Sequence, residues 1–205
     1  MPSQPPTTAP SQPRRADARR NVERILDAAL DELAREPEVS MEAVARRAGV
    51  VRATLYVHFP TREALITAAT ERAIAETTEA LRAAAPDQGE PAEALIRVLV
   101  AAWRMLGRYH ALVAMNSRLD PERLRALHEP VLALLRPLLE RGQAVGAFNP
   151  DLPVDWMLTV LLELIHAASR EVTAGRLSED TAERALLATV IGALSPSTNR
   201  PRMAD

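Results

Sequence analysis

Four hydrogen-bonding side chains are packed into the run RATLYVH, where Arg52, Thr54, Tyr56 and His58 alternate with small or apolar residues. All four can donate to an anionic oxygen. An arginine can also donate in pairs to guanine O6 and N7. The neighbouring Val51 and Ala53 could touch a thymine methyl or simply permit close approach. Hydroxyl and imidazole donors on a helix usually settle a protein on phosphates and carry no sequence information themselves. This is the chemistry of a nucleic-acid surface. Nowhere does the chain offer a paired acid/base set, a nucleophile constellation or a metal cluster, so an enzyme is not expected.

The elements that must position these donors can be read on either side. Ser40 precedes an apolar-periodic stretch and is a natural N-cap, its hydroxyl accepting from a free backbone N–H. Met41, Val44 and Ala45 supply the buried side of that short helix, and Gly49 suits a left-handed turn. Leu55 and Phe59 place one face of the next helix in the core. Pro60 stops it, and Thr61 caps a further helix with Glu63 near its positive end. Two short helices joined by a tight Gly turn form a helix-turn-helix, whose second helix enters the major groove. Upstream, Arg14, Arg15, Arg19, Arg20 and Arg24 form a basic arm that either follows phosphates or is an ordinary solvated helix start.

Composition sets the frame. The chain has 205 residues, 47% of them hydrophobic but only 3% aromatic, so the core must be built largely from Ala, Leu and Val. Seven glycines and long Ala/Leu/Glu/Arg tracts favour helix throughout. No alternating β-branched run calls for a sheet. There is no cysteine, which excludes disulfides and thiolate sites. The 25 basic residues are all arginine, and the net charge of −2 argues against a globally basic coat without bearing on one local face. No stretch approaches the roughly 20 apolar residues that span a bilayer. The opening MPSQPPTTAPSQP lacks the apolar run of a secretory signal, so a cytoplasmic protein is expected.

The string from Ser40 to Leu65 resembles the DNA-binding domain of the TetR family of transcriptional regulators. The correspondence runs through Ser40, Val44-Ala45, Ala48-Gly49-Val50, Arg52-Ala53-Thr54-Leu55-Tyr56, His58-Phe59 and Thr61-Arg62-Glu63-Ala64-Leu65, with Asn21 to Ala29 similar to the family's first helix. It covers about residues 19 to 68. The resemblance implies that Ser40, Thr54, Tyr56, His58 and Arg62 grip phosphates while Val51, Arg52 and Ala53 face bases; Arg19 of the basic arm is the further DNA-binding candidate. Val51 stands where the family usually has Ser, so a cap and a phosphate contact are lost there. Glu36-Pro37-Glu38 stands in place of the family's Gly-aromatic turn.

An all-α protein of about nine helices is expected: a disordered tail (1–15), a three-helix DNA-binding domain (16–66), a larger helical ligand-binding and dimerisation domain (67–195) and a second tail (196–205). The helices after the head should span roughly Pro91 to Arg108, His110 to Ser117, Pro121 to Arg141, Pro153 to Ala174 and Ser178 to Leu194, with Pro130 and Pro137 kinking or splitting the third. The fragment from Arg141-Gly142-Gln143 through Gly146-Ala147-Phe148 to Asp151-Leu152-Pro153 resembles the link into the family's eighth helix. Asp155, Thr159, Glu163, His166 and Arg170 form one narrow polar stripe on an otherwise apolar helix, and the final helix is as apolar. Helices apolar nearly all round are buried on more than one side, which favours a homodimer through the last two. Such a dimer would meet a palindromic operator on double-stranded DNA.

A small-molecule effector, of a kind the sequence does not name, would bind inside this bundle. Trp103, Tyr109, His110, Met115, Asn116, Phe148, Trp156 and His166 are its candidate contacts, each equally at home in an ordinary core or surface. Glu163 and His166 have the spacing of one half of a di-metal site, but no second copy exists and no metal or other cofactor is expected. The alternative function is a helical protein-interaction module that retains an unused helix-turn-helix.

Overall fold

The computed structural model describes residues 12–33, 39–109, 112–113 and 121–196. Among these residues every regular element is a helix: α1 (Gln12–Leu33), α2 (Met41–Ala48), α3 (Arg52–His58), α4 (Arg62–Ala83), α5 (Pro91–Arg108), α6 (Pro121–Ala144), α7 (Val154–Thr173) and α8 (Glu179–Leu194). The helix expected over His110 to Ser117 lies outside the described residues except at Leu112 and Val113, which are helical. Glu36-Pro37-Glu38 also lies outside them.

Helix starts follow the capping chemistry. Ser40 accepts from the Ala43 N–H at 3.4 Å, Thr61 from Ala64 at 3.1 Å and Ser178 from Thr181 at 3.3 Å. Val51 occupies the same position before α3 and supplies no side-chain bond. One expectation fails and another is narrowed. Gln12 to Arg15, expected in a tail, belong to α1; Pro13 falls in its first turn, where a missing N–H breaks no helical bond. Pro130 and Pro137 do not divide α6, which runs unbroken from Pro121 to Ala144. Both prolines face solvent, while Leu132, Leu135, Leu138 and Leu139 of the same helix are buried. Each buried leucine contributes about 1.5–3 kcal/mol, enough together to outweigh two missing backbone bonds.

The chain divides into two compact units, Met1–Thr70 and Glu71–Asp205, with the division inside α4. In the first, Ile25, Ala29 and Leu33 of α1 are buried with Val44, Ala45, Leu55, Phe59 and Leu65. The second has its own core, in which α5, α6, α7 and α8 share Leu95, Val98, Leu139, Met157, Leu158, Leu161, Leu186 and Val190.

The segment after α6 is tied down residue by residue. Arg141 donates to the carbonyls of Gly89 and Pro86, both at 2.9 Å. The Gln143 amide reaches the carbonyls of Asn149 at 2.8 Å and Leu152 at 2.7 Å. The Asn149 N–H donates to Leu194 O at 2.8 Å, fastening the end of α8. Phe148 is 2% exposed and its ring edge packs against Gly142, where a Cβ would come within 2.0 Å of the ring.

His166 departs from the polar stripe assigned to α7. Asp155, Glu163 and Arg170 are exposed, but His166 is only 2% exposed. Its ring meets His128 of α6 edge-on at 5.1 Å, and its Nδ1 has no hydrogen-bond partner in the structure. The helical turn rotates position 166 toward α6, where packing against His128 leaves the imidazole little access to water. Burial, then the charges of His128 and Arg170, push His166 down to about 4. Burial also lowers His128, against its bond to the Leu124 carbonyl.

Two stability predictions follow from this packing. Gly142→Ala should cost about 1–3 kcal/mol by forcing the Phe148 ring aside, read as a lower thermal midpoint with all-helical circular dichroism retained. Acid should act through the histidines: folded, His166 stays neutral, whereas unfolded it protonates near its ordinary 6.5. The unfolded state then binds more protons, so stability present above about pH 6.5 is lost as pH falls toward 4, by up to about 1.4 kcal/mol per pH unit for one group. Urea denaturation across that range measures the slope, and His166→Leu should flatten it.

Candidate nucleic-acid interface

The head is held by two guanidinium groups that work on the backbone. The Arg24 Nη2 donates to the carbonyls of Ala48 and, at 3.0 Å, Gly49, the last acceptors of α2. Arg24 therefore serves the turn and not a free basic arm. Gly49 itself has φ of 63°, with its N–H on Arg46 O and the Val50 N–H on Ala45 O, the paired bonds of a Schellman cap. Arg62 Nε donates to Val39 O at 3.0 Å and ties the start of α4 to the approach to α2. Arg47 pairs with Glu32, linking α2 to α1.

This frame exposes one side of α3. Leu55 is fully buried and Phe59 nearly so, which turns Arg52, Ala53, Tyr56 and Val57 outward. Thr54 and His58 are half-buried on the flank, and Val51, at 69% exposure, stands at the helix start. Arg52 folds over Tyr56: its Nη2 donates to the hydroxyl at 3.4 Å, and its guanidinium carbon is 5.4 Å from the ring centroid. Val57, at 78% exposure, was not among the sequence candidates. Its signal was available, since it follows Ala53 by one helical turn. Arg19 is exposed on α1, and Arg20 pairs with Asp17. The Ser40 hydroxyl is an acceptor within its own cap.

The effector candidates within the described residues have different surroundings. Trp103 is buried beside a groove of about 770 Å³ that Ser169, Val172 and Glu183 also line. Tyr109 is buried and its hydroxyl donates to the Glu76 carboxylate. Phe148 lies on Gly142, His166 lies on His128, and Trp156 is 56% exposed beside Asp155, which holds Arg125 and Arg136. His110, Met115 and Asn116 lie outside the described residues. A larger cleft, about 920 Å³, is lined instead by the second-unit part of α4, by Met105 and Arg108 of α5, and by Ala126, Leu127 and Pro130 of α6. No sequence pattern marked it, because its wall is assembled from three helices whose relative rotation only packing sets. Among the described residues no group of His, Cys, Asp or Glu could hold a metal ion, and no helix is long and apolar enough to cross a membrane.

Comparison with known proteins agrees with this geometry. The family described as "Bacterial regulatory proteins, tetR family" matches residues 25–69, the helix-turn-helix with the helices on either side. An uncharacterized HTH-type transcriptional regulator of Mycobacterium tuberculosis is 29% identical over 89% of this chain and 90% of its own length. A TetR family transcription regulator from Marinobacter aquaeolei VT8 superposes with a TM-score of 0.63, at 20% identity, over 91% of this chain and 100% of that one. LfrR of Mycobacterium smegmatis, solved in complex with proflavine, superposes with a TM-score of 0.68, at 23% identity, over 88% of this chain and 99% of its own. The helix-turn-helix built on the Gly49 turn is that of the TetR family of bacterial regulatory proteins, and the all-helical second unit shares the fold of solved TetR-family regulators.

Proposed function

We propose that the protein is a ligand-responsive repressor of the cytoplasm that binds a palindromic operator as a homodimer and is released by a small-molecule effector. The exposed face of α3 carries this reading: Arg52, Ala53, Tyr56 and Val57 point away from the core that Leu55 and Phe59 complete. In the bound state Arg52 leaves the Tyr56 ring for a guanine edge, while Val51, Ala53 and Val57 meet bases by shape. Arg19, Ser40, Thr54, Tyr56, His58 and Arg62 contact phosphates and fix the register.

Dimerisation is supported by what α8 leaves uncovered. Ala182, Leu186, Val190 and Leu194 are buried, but Ala185, Ala188, Gly192 and Ala193 are exposed on the other side. A helix with small apolar residues on its open face permits close approach of a second helix. Pairing α7 and α8 with their copies would cover that face and bring two α3 helices to half-sites about 34–36 Å apart. The effector binds in the second unit, in the cleft that α4 lines, and shifts α4 so that the two heads no longer match the operator. It acts only through its differential affinity for the two head spacings. That LfrR holds proflavine within the same fold supports a ligand-binding second unit.

Random-site selection on the purified protein should return a two-fold sequence whose affinity falls steeply with salt. Absence of any salt-sensitive sequence preference would overturn the proposal in favour of a protein-interaction module. Arg52→Ala should relax specificity at one position of each half-site, costing about 1–3 kcal/mol per contact; a uniform loss over all sequences would make Arg52 a phosphate contact. Ala188→Glu should shift sedimentation from dimer to monomer and weaken operator binding. A dimer unaffected by that charge would place the interface elsewhere.

A further inference from the structure

Glu76 and Arg108 line the cleft between α4, α5 and α6, and the buried Tyr109 touches both. The Glu76 carboxylate, 29% exposed, accepts from Arg72 Nε at 2.7 Å and from the Tyr109 hydroxyl. Arg108 Nη2 lies 3.9 Å from the second oxygen of Glu76, and its guanidinium carbon is 5.5 Å from the centroid of the Tyr109 ring. A carboxylate beside an aromatic face is the chemistry that recognises an organic cation. Arg108 occupies that position loosely: its side chain is 67% exposed and too far for a good hydrogen bond. An exposed pair of this kind holds weakly and exchanges readily.

We propose that Glu76 and the Tyr109 ring form a subsite for an organic cation with a flat apolar body, in which Arg108 is an internal, displaceable occupant. This rests on the proposed ligand-responsive function and names the class of effector. Two further features favour a cation over an anion. Glu71 and Glu79 line the same cleft, Glu79 paired with Arg82, so the departure of Arg108 leaves three carboxylates against the two guanidinium groups of Arg72 and Arg82. The adjoining wall is apolar, with Ile74, Met105, Leu127 and Pro130 able to cover the body of such a ligand. Burial pushes Glu76 up, but its bonds from Tyr109 and Arg72 outweigh this and keep it below the ordinary carboxylate range, hence charged at neutral pH.

The test is a fluorescence titration of the full chain at pH 7.5 with N-methylacridinium, a planar monocation, against acridine, its neutral counterpart at that pH. The cation should bind at least tenfold more tightly. Glu76→Gln should abolish the preference, and Tyr109→Phe should largely retain it because the ring remains. Arg108→Ala, on an exposed side chain, should tighten cation binding severalfold by removing the competitor, a gain that damage to the fold would not produce. Equal affinity for the two dyes, a preference that survives in Glu76→Gln, or weaker binding by Arg108→Ala would overturn the subsite. Operator binding is measured in parallel without dye. Selective operator binding without a cation preference sinks the subsite alone, whereas a cation preference without selective operator binding sinks the regulator reading and leaves the subsite standing.

Discussion

The head depends on one backbone conformation, the left-handed turn at Gly49 with φ of 63°. A Cβ there would be strained by that angle and would come within 2.8 Å of Arg24 Nη2. Displacing Arg24 would in turn leave the carbonyls of Ala48 and Gly49 without their donor. The turn sets the angle between α2 and α3, and that angle decides which side of α3 is buried under Leu55. The outward face of Arg52, Ala53, Tyr56 and Val57 is therefore a consequence of a glycine that itself presents nothing to solvent chemistry.

Arginine plays three physical parts in a chain without lysine. Arg24, Arg62, Arg97 and Arg141 donate to backbone carbonyls and fasten turns or helix ends. Arg72, Arg125 and Arg136 join carboxylates. Arg52 and Arg108 lie over tyrosine rings at the two places where chemistry with a partner is proposed. A planar guanidinium suits all three because it forks between acceptors and stacks on an aromatic face, which an ammonium does less well. In the proposed reading an external partner takes the place of the ring at Arg52, and an external cation takes the place of the guanidinium at Arg108.

The second unit is organised by apolar rows that outweigh local propensity. The helix α6 continues through Pro130 and Pro137 because its leucines face a core shared with α5, α7 and α8. The same pressure buries His166, which the one-dimensional spacing had assigned to a polar stripe. A buried imidazole in contact with a second one is tolerated by staying neutral, and acid sensitivity is the consequence.

The sequence by itself determined the helical class, most helix boundaries, the caps at Ser40 and Thr61 and the helix-turn-helix. These are local matters: capping, glycine conformation and apolar periodicity act within a few residues of chain. Tertiary structure alone decided that Arg24 serves the turn and not the DNA arm, that Thr54 and His58 are half-buried while Val57 is open, and that Tyr109 meets Glu76 and Arg108. It also decided that Phe148 and His166 are buried while Trp156 is exposed. Each of these depends on how one helix is rotated against another. That rotation is set by the sum of many apolar contacts across the core, and no spacing along a single helix encodes it.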